Sequence, residues 1–283
     1  MSLNLLCSRS INFIARLHFM HKCGYIVCVV SRLPFDGLRQ HVNRLYINYV
    51  MKRVSRIFDC SDEDPIFLIV PGFLGNFSEG FVPRLFKELV ALNKSVVGIV
   101  FRGHESYESG LASTYEMVEQ TKLEYAIIRA SYPKRKIIIV AHSQGCAIIM
   151  KISSMFDELT SLRFVAPALF LDKIILSRVS EEDMNNIESG EYVRCELAQN
   201  KYRIVGKEWV SSYKKFSDWD LVKPCLLDGQ IIRGNGDYIP KDNAMLLRQK
   251  CQKCAYIEIP GDHIFANPSN SFDVLINTIV TKT

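Results

Sequence analysis

The chain is predicted to be an α/β protein: a mostly parallel central sheet with helices on both faces and a small helical cap inserted before its last two strands. Two observations predict it. From Ile66 onward, short β-branched runs alternate with helix-length segments, the pattern that builds a parallel sheet covered on both sides. The runs are nearly continuous in apolar residues rather than alternating, as strands buried on both faces must be.

The strands follow in order at 66–70, 96–100, 136–140 and 162–165, then at 230–233 and 255–259. Residues 79–92, 111–130, 144–155 and 241–251 carry apolar side chains at three- and four-residue spacing and supply the crossover helices. The stretch from Asp172 to about Val222 breaks the alternation. It is rich in charge, and Ser180 to Asp183 reads as a helix N-cap followed by acids in the first turn. The expected division is an N-terminal extension with early strands over 1–60, a core over 61–171 and 223–283, and a helical cap over 172–222. Tyr25 to Val30 and Leu45 to Val50 are the candidates for early strands.

Composition excludes several classes. With 283 residues, 48% hydrophobic and 23% charged, the chain is expected to be soluble and globular, neither disordered nor a polytopic membrane protein. At this size about three quarters of the unfolded surface can be buried, so neither disulfides nor a metal is needed. The net charge of +5 is spread along the chain, without the clustered basic and aromatic residues of a nucleic-acid surface, so no nucleic-acid partner is expected. The nine cysteines lack framework spacing and read as reduced thiols of a cytoplasmic compartment. Cys251 and Cys254 form a CxxC pair, but two further ligands at zinc-site spacing are missing, and no metal or cofactor is expected.

Before Asp36 the chain holds Arg9, Arg16, Lys22 and Arg32 and no acid. That start suits an early strand, or alternatively a mitochondrial presequence or a peripheral membrane contact through residues 1–32. Basic residues interrupt the apolar stretch too early for a transmembrane helix.

The most informative segment runs from Lys136 to Met150, where an apolar strand leads straight into Ala141-His142-Ser143-Gln144-Gly145 and then into an apolar helix. A serine at the tip of a sharp strand-to-helix turn is forced into strained backbone geometry, so small residues are needed two before and two after it. Ala141 and Gly145 meet that need. The helix start behind Ser143 aims unpaired amides and a partial positive charge at developing negative charge, which makes the Gln144 amide a candidate oxyanion donor.

On these residues the chain resembles the α/β-hydrolase superfamily, and the likeness extends over roughly 66–280. The resemblance implies a second oxyanion donor after an early strand, in Pro71-Gly72-Phe73-Leu74-Gly75, with Phe73 the choice and Leu74 the alternative. Phe101-Arg102-Gly103-His104-Glu105-Ser106 looks like the Asp-x-Arg-Gly-His-Gly-x-Ser stretch of esterase and lipase members, with Val100 and Glu105 departing from it.

A general base is needed, since a serine hydroxyl is a poor nucleophile until its proton is taken. Of the six histidines, His18, His21 and His41 precede the core, and His104 and His142 fall where the fold uses them otherwise. His263, in Pro260-Gly261-Asp262-His263-Ile264-Phe265, is similar to the family's histidine loop after the last strand and is the expected base. Asp237, in Gly234-Asn235-Gly236-Asp237-Tyr238-Ile239-Pro240, resembles the family's acid loop; Asp172 is the runner-up, and Asp262 is expected to bond its own loop. The order Ser143, Asp237, His263 is that of the fold.

These parts imply a serine hydrolase working through an acyl-enzyme. Phe73, Leu74, Phe77 and Phe81 lie in or near the oxyanion loop and suit an apolar acyl chain. A small-molecule or lipid ester is therefore the expected substrate, with thioester hydrolysis, acyl transfer or an inactive binding protein on the same fold as alternatives.

Overall fold

The near-continuous apolar runs at 66–70, 95–98, 137–142 and 160–165 become strands of a single sheet that are buried on both faces, while the run at 254–259 lies at the sheet edge and is partly exposed. The structure is a computed structural model that describes residues 17–19, 26–28, 56–58, 64–104, 110–198, 201–217, 219 and 222–281. Its main strands are β3 (Arg56–Phe58), β4 (Ile66–Val70), β5 (Ser95–Gly98), β6 (Ile137–His142), β7 (Thr160–Val165), β10 (Gly229–Gly234) and β11 (Cys254–Ile259). They form a seven-stranded sheet in the order β11-β10-β7-β6-β4-β5-β3. Every pairing is parallel except that of β3 with β5 at the edge.

Of the early strands, Ile26–Cys28 (β2) pairs antiparallel with Leu17–Phe19 (β1) in a separate two-stranded sheet. The strand expected at 45–50 lies outside the described residues.

Side-chain alternation divides the core. Leu68, Val70, Ile137, Ile139 and Ala141 point to one face, which α2 (Thr114–Ser131), α3 (Gln144–Ile152) and α7 (Asp242–Lys250) cover. Phe67, Ile69, Ile138, Val140 and Val165 point to the other, under α1 (Phe81–Ala91) and α8 (Ser271–Val280). Each of these side chains is fully or almost fully buried, worth about 1.5–3 kcal/mol apiece in removed apolar surface. The start of α2 is fixed by a capping box: Ser113 Oγ accepts from the Glu116 amide, and Glu116 accepts from the Ser113 amide.

The insertion between β7 and β10 contains α4 (Leu171–Ile175), α5 (Glu181–Ser189), β8 (Val193–Ala198), β9 (Lys201–Val205) and α6 (Lys207–Phe216). Ser180 caps α5 through the Asp183 amide at 3.1 Å, as its sequence anticipates. The antiparallel hairpin β8-β9 was not anticipated. Its first strand alternates strictly, exposed Arg194 and Glu196 with buried Cys195 and Leu197, the period of a half-buried strand inside a stretch expected to be helical. The insertion is not a loose flap: Trp209, Val210, Tyr213, Phe216 and Trp219 belong to the same buried cluster as the sheet. Thr114 bonds both the hydroxyl and the carbonyl of Ser212. Among the described residues, no helix is long and apolar enough to cross a membrane.

Candidate active site

The C-terminal ends of β4, β6, β10 and β11 bring their loops to one edge of the sheet, where ligands of open α/β sheets bind. At the end of β6, Ser143 adopts φ 52° and ψ −119°, a left-handed region that costs a non-glycine residue of order 1–3 kcal/mol. The turn is tight enough to dictate its neighbours. A methyl group on Gly145 would lie 2.5 Å from the Val70 carbonyl oxygen, and one on Gly72 would lie 2.9 Å from Ser143 Cβ.

Ser143 Oγ lies 2.9 Å from His263 Nε2, and His263 Nδ1 lies 2.9 Å from Asp237 Oδ1. The Asp237 carboxylate can only accept from Nδ1–H, which leaves Nε2 to accept from the serine hydroxyl. Ser143 and His263 are each 8% exposed and the Asp237 side chain is 0% exposed. The line thus runs from a nearly buried hydroxyl to a fully buried carboxylate.

Each member is held by its own loop. Asp237 Oδ1 also accepts from the Ile239 amide at 2.9 Å, and Arg233 of β10 donates to the carbonyls of Asp237 and Ile239. Asp262 accepts from the amides of Ile264 and Ala266 and from Asn267, bonding its own loop rather than His263. Asp172 opens α4, where its amide donates to Ser217 Oγ; the carboxylate that meets His263 is that of Asp237.

His142, next to Ser143, supports the opposite side. Its ring stacks on Phe81 at 4.0 Å, and its Nε2 donates to the His263 carbonyl at 3.0 Å. Burial, reinforced by the neighbouring His263, pulls its pKa from 6.5 down to about 3, so the ring is neutral. This role left no sequence signal beyond the position of His142 in the turn.

The amide of Gln144 is the first of α3, so it has no carbonyl one turn earlier to bond. The Gln144 side chain is occupied elsewhere: Oε1 accepts from Tyr213 of α6 at 3.1 Å, and Nε2 approaches Met117 Sδ at 3.0 Å. Across the turn, Gly75 N donates to Gly72 O at 3.0 Å and closes the loop that carries Phe73 and Leu74. Leu74 takes φ 54°. The Phe73 amide donates to no backbone carbonyl among the described residues.

Aromatic side chains gather on α6 and on the loops that carry Phe73 and Asp237. The Phe73 ring is 6.4 Å from Trp209 and 6.5 Å from Tyr213, both on α6, and the exposed Tyr238 ring is 4.7 Å from His263. Arg178 of the insertion lies between the two walls, 6.0 Å over Phe73 and 3.5 Å from the Tyr238 hydroxyl. Phe77 and Phe81 are buried in the layer on the other face of the sheet instead, while Leu74 belongs to the same buried cluster as Trp209 and Tyr213 and the Phe73 ring packs near them. Phe101 to His104 follow β5 as expected, while Glu105 and Ser106 lie outside the described residues.

Residues 63–185 match the family of lipid-droplet associated hydrolases. No curated protein sequence is similar to the chain at a significant level. Among solved structures, the ferulic acid-bound Est1E from Butyrivibrio proteoclasticus aligns with a TM-score of 0.62 at 16% identity, covering 80% of this chain and 91% of its own. A putative hydrolase from Agrobacterium vitis aligns at 0.61 and 16%, covering 80% and 90%. Alpha/beta hydrolase domain-containing protein 10 from mouse aligns at 0.57 and 14%, covering 80% and 97%. With its sheet order and these structural neighbours, the chain has the α/β-hydrolase fold.

Proposed function

We propose that the protein is a serine hydrolase that cleaves carboxylic esters of apolar acyl groups through an acyl-enzyme. The observation that carries this reading is the continuous line from Ser143 Oγ through His263 to Asp237, with both contacts at 2.9 Å. His263 takes the proton from Ser143 as its oxygen attacks the ester carbonyl, and Asp237 holds the ring so that Nε2 faces the serine. The amides of Gln144 and Phe73 receive the oxyanion, each donor being worth about 3 kcal/mol in the transition state. His263 then returns its proton to the leaving alcohol, activates a water molecule, and the second addition releases the acid.

The acyl preference rests on the aromatic wall of Phe73, Trp209 and Tyr213, and on the match of 63–185 to lipid-droplet associated hydrolases. Turnover of p-nitrophenyl esters of increasing chain length tests it. The expected result is kcat/KM rising from acetate to medium-chain esters and lost in Ser143→Ala. Turnover that survives in Ser143→Ala would overturn the reading, and equal rates at all lengths would remove the acyl preference.

A further inference from the structure

Beyond the line of Ser143, His263 and Asp237, buried polar chemistry gathers at the loop after β5. His104 is 0% exposed and Arg203 is 2% exposed. Arg203 belongs to β9 of the inserted hairpin, yet its guanidinium reaches into the core. Its Nε donates to the Gly103 carbonyl at 2.9 Å and its Nη2 to the His104 carbonyl at 3.2 Å, while Nη1 bonds the carbonyl of Tyr202 at 2.8 Å. A buried cation is tolerated only where its donors are satisfied. The backbone joins in, with the Leu111 amide donating to the Ile204 carbonyl of β9 at 3.4 Å.

From His104 the connection continues into the site. His104 Nδ1 donates to the Gly75 carbonyl at 3.2 Å, and the Gly75 amide closes the turn onto the Gly72 carbonyl at 3.0 Å. That turn carries Phe73 and the left-handed Leu74. Burial pulls the His104 pKa from 6.5 down to about 4, so at neutral pH the ring carries one N–H, and the Gly75 carbonyl claims it. The path from insertion to loop is then Arg203, the 103–104 backbone, the His104 imidazole and Gly75.

We propose that His104, anchored from the insertion by Arg203, is a positioning residue that holds the Gly72-to-Gly75 turn so that the Phe73 amide faces the oxyanion. The inference rests on the serine hydrolase reading, and it adds that insertion and oxyanion loop are set as one unit. Displacing a donor by a fraction of an ångström leaves substrate binding intact but weakens the contact made only in the transition state.

The test compares His104→Leu, His104→Asn and Arg203→Lys in the full chain, with thermal melts, kcat and KM on p-nitrophenyl butyrate, and inhibition by an aliphatic trifluoromethyl ketone. The ketone adds to the serine and presents an oxyanion, so its affinity reports the hole directly. His104→Leu is expected to lower kcat roughly 10- to 100-fold with KM within about twofold, and to weaken the ketone by a matching factor. His104→Asn keeps a donor at the Nδ1 position and is expected to retain most of the activity. Arg203→Lys, which replaces the fixed fork of Nε and Nη2 by a single flexible nitrogen, should fall between them.

A folded His104→Leu with wild-type kcat, or one whose kcat falls without loss of ketone affinity, overturns the inference and leaves the hydrolase reading standing. Turnover that survives in Ser143→Ala would overturn both. Should His104→Leu fail to fold, Arg203→Lys and His104→Asn decide: wild-type kcat and ketone affinity in Arg203→Lys, or loss of both in a folded His104→Asn, overturns the inference.

Discussion

At the scale of single residues, the site is a set of short-range necessities joined by long-range contacts. Ser143 and the small residues around it were legible because their constraint is local: a strand, a turn and a helix in fewer than about twenty residues. The joins were not, since Asp237 to His263 spans 26 positions and His263 to Ser143 spans 120. Only the resemblance of each loop to a family pattern connected them in advance. Asp237 is proposed to fix the His263 tautomer, so Asp237→Asn is expected to lower kcat by about 10⁴-fold with little change in KM. A smaller loss in Asp237→Asn than in Asp172→Asn would reassign the acid.

His104 and His142 make a second residue-scale prediction, about pH. Their folded pKa values lie at about 4 and about 3, below the ordinary 6.5. In the unfolded chain both take up protons near 6.5, so below that pH the unfolded state binds more protons than the folded one. The stability that these neutral rings confer is therefore complete above about 6.5 and lost as pH falls toward their folded values. Each ring should cost about 1.4 kcal/mol per pH unit in that window. Urea denaturation at about pH 7.5 and about pH 5 checks it; the drop should shrink in His142→Asn, and an equal drop in that variant would contradict the assignment.

At the scale of elements, the parallel part of the sheet was legible because its strands are apolar runs, and its six strands begin and end within two residues of the predicted ones, whereas the edge strand β3 had no counterpart among them. The hairpin β8-β9 was not, because its short alternating strands lie within a charge-rich stretch and because Arg203 is a buried residue of a usually exposed type. The packing of β4, β6 and α3 at the turn gives a further prediction. A methyl group on Gly145 would meet backbone oxygens of Val70 and Pro71 at 2.5 and 2.9 Å, neither of which can rotate away. Gly145→Ala is expected to lower stability by roughly 1–3 kcal/mol or more and to abolish turnover in whatever folds. A thermal melt matching wild type would show that the turn relaxes at little cost.

At the scale of the whole molecule, one edge of the sheet carries the groups proposed to react, and the insertion packs aromatic side chains against the loops beside them. Tyr213 bonds Gln144 and Trp209 packs near Phe73, so α6 touches both loops proposed to bear oxyanion donors. The wall is proposed to receive the acyl chain. Phe73→Ala, which leaves the backbone amide in place, is then expected to raise KM for medium-chain esters roughly tenfold while changing that for acetate little, as a lost aromatic contact of about 1.4 kcal/mol would. Equal effects on both esters would place the chain elsewhere. The central claim is that Ser143 is an activated nucleophile, and covalent labelling by a fluorophosphonate, followed by mass analysis of the modified peptide, tests it most directly. One phosphonyl group on Ser143, absent in Ser143→Ala and strongly slowed in His263→Ala, is the predicted result; folded wild-type protein that stays unlabelled, or carries the label on another residue, would contradict it.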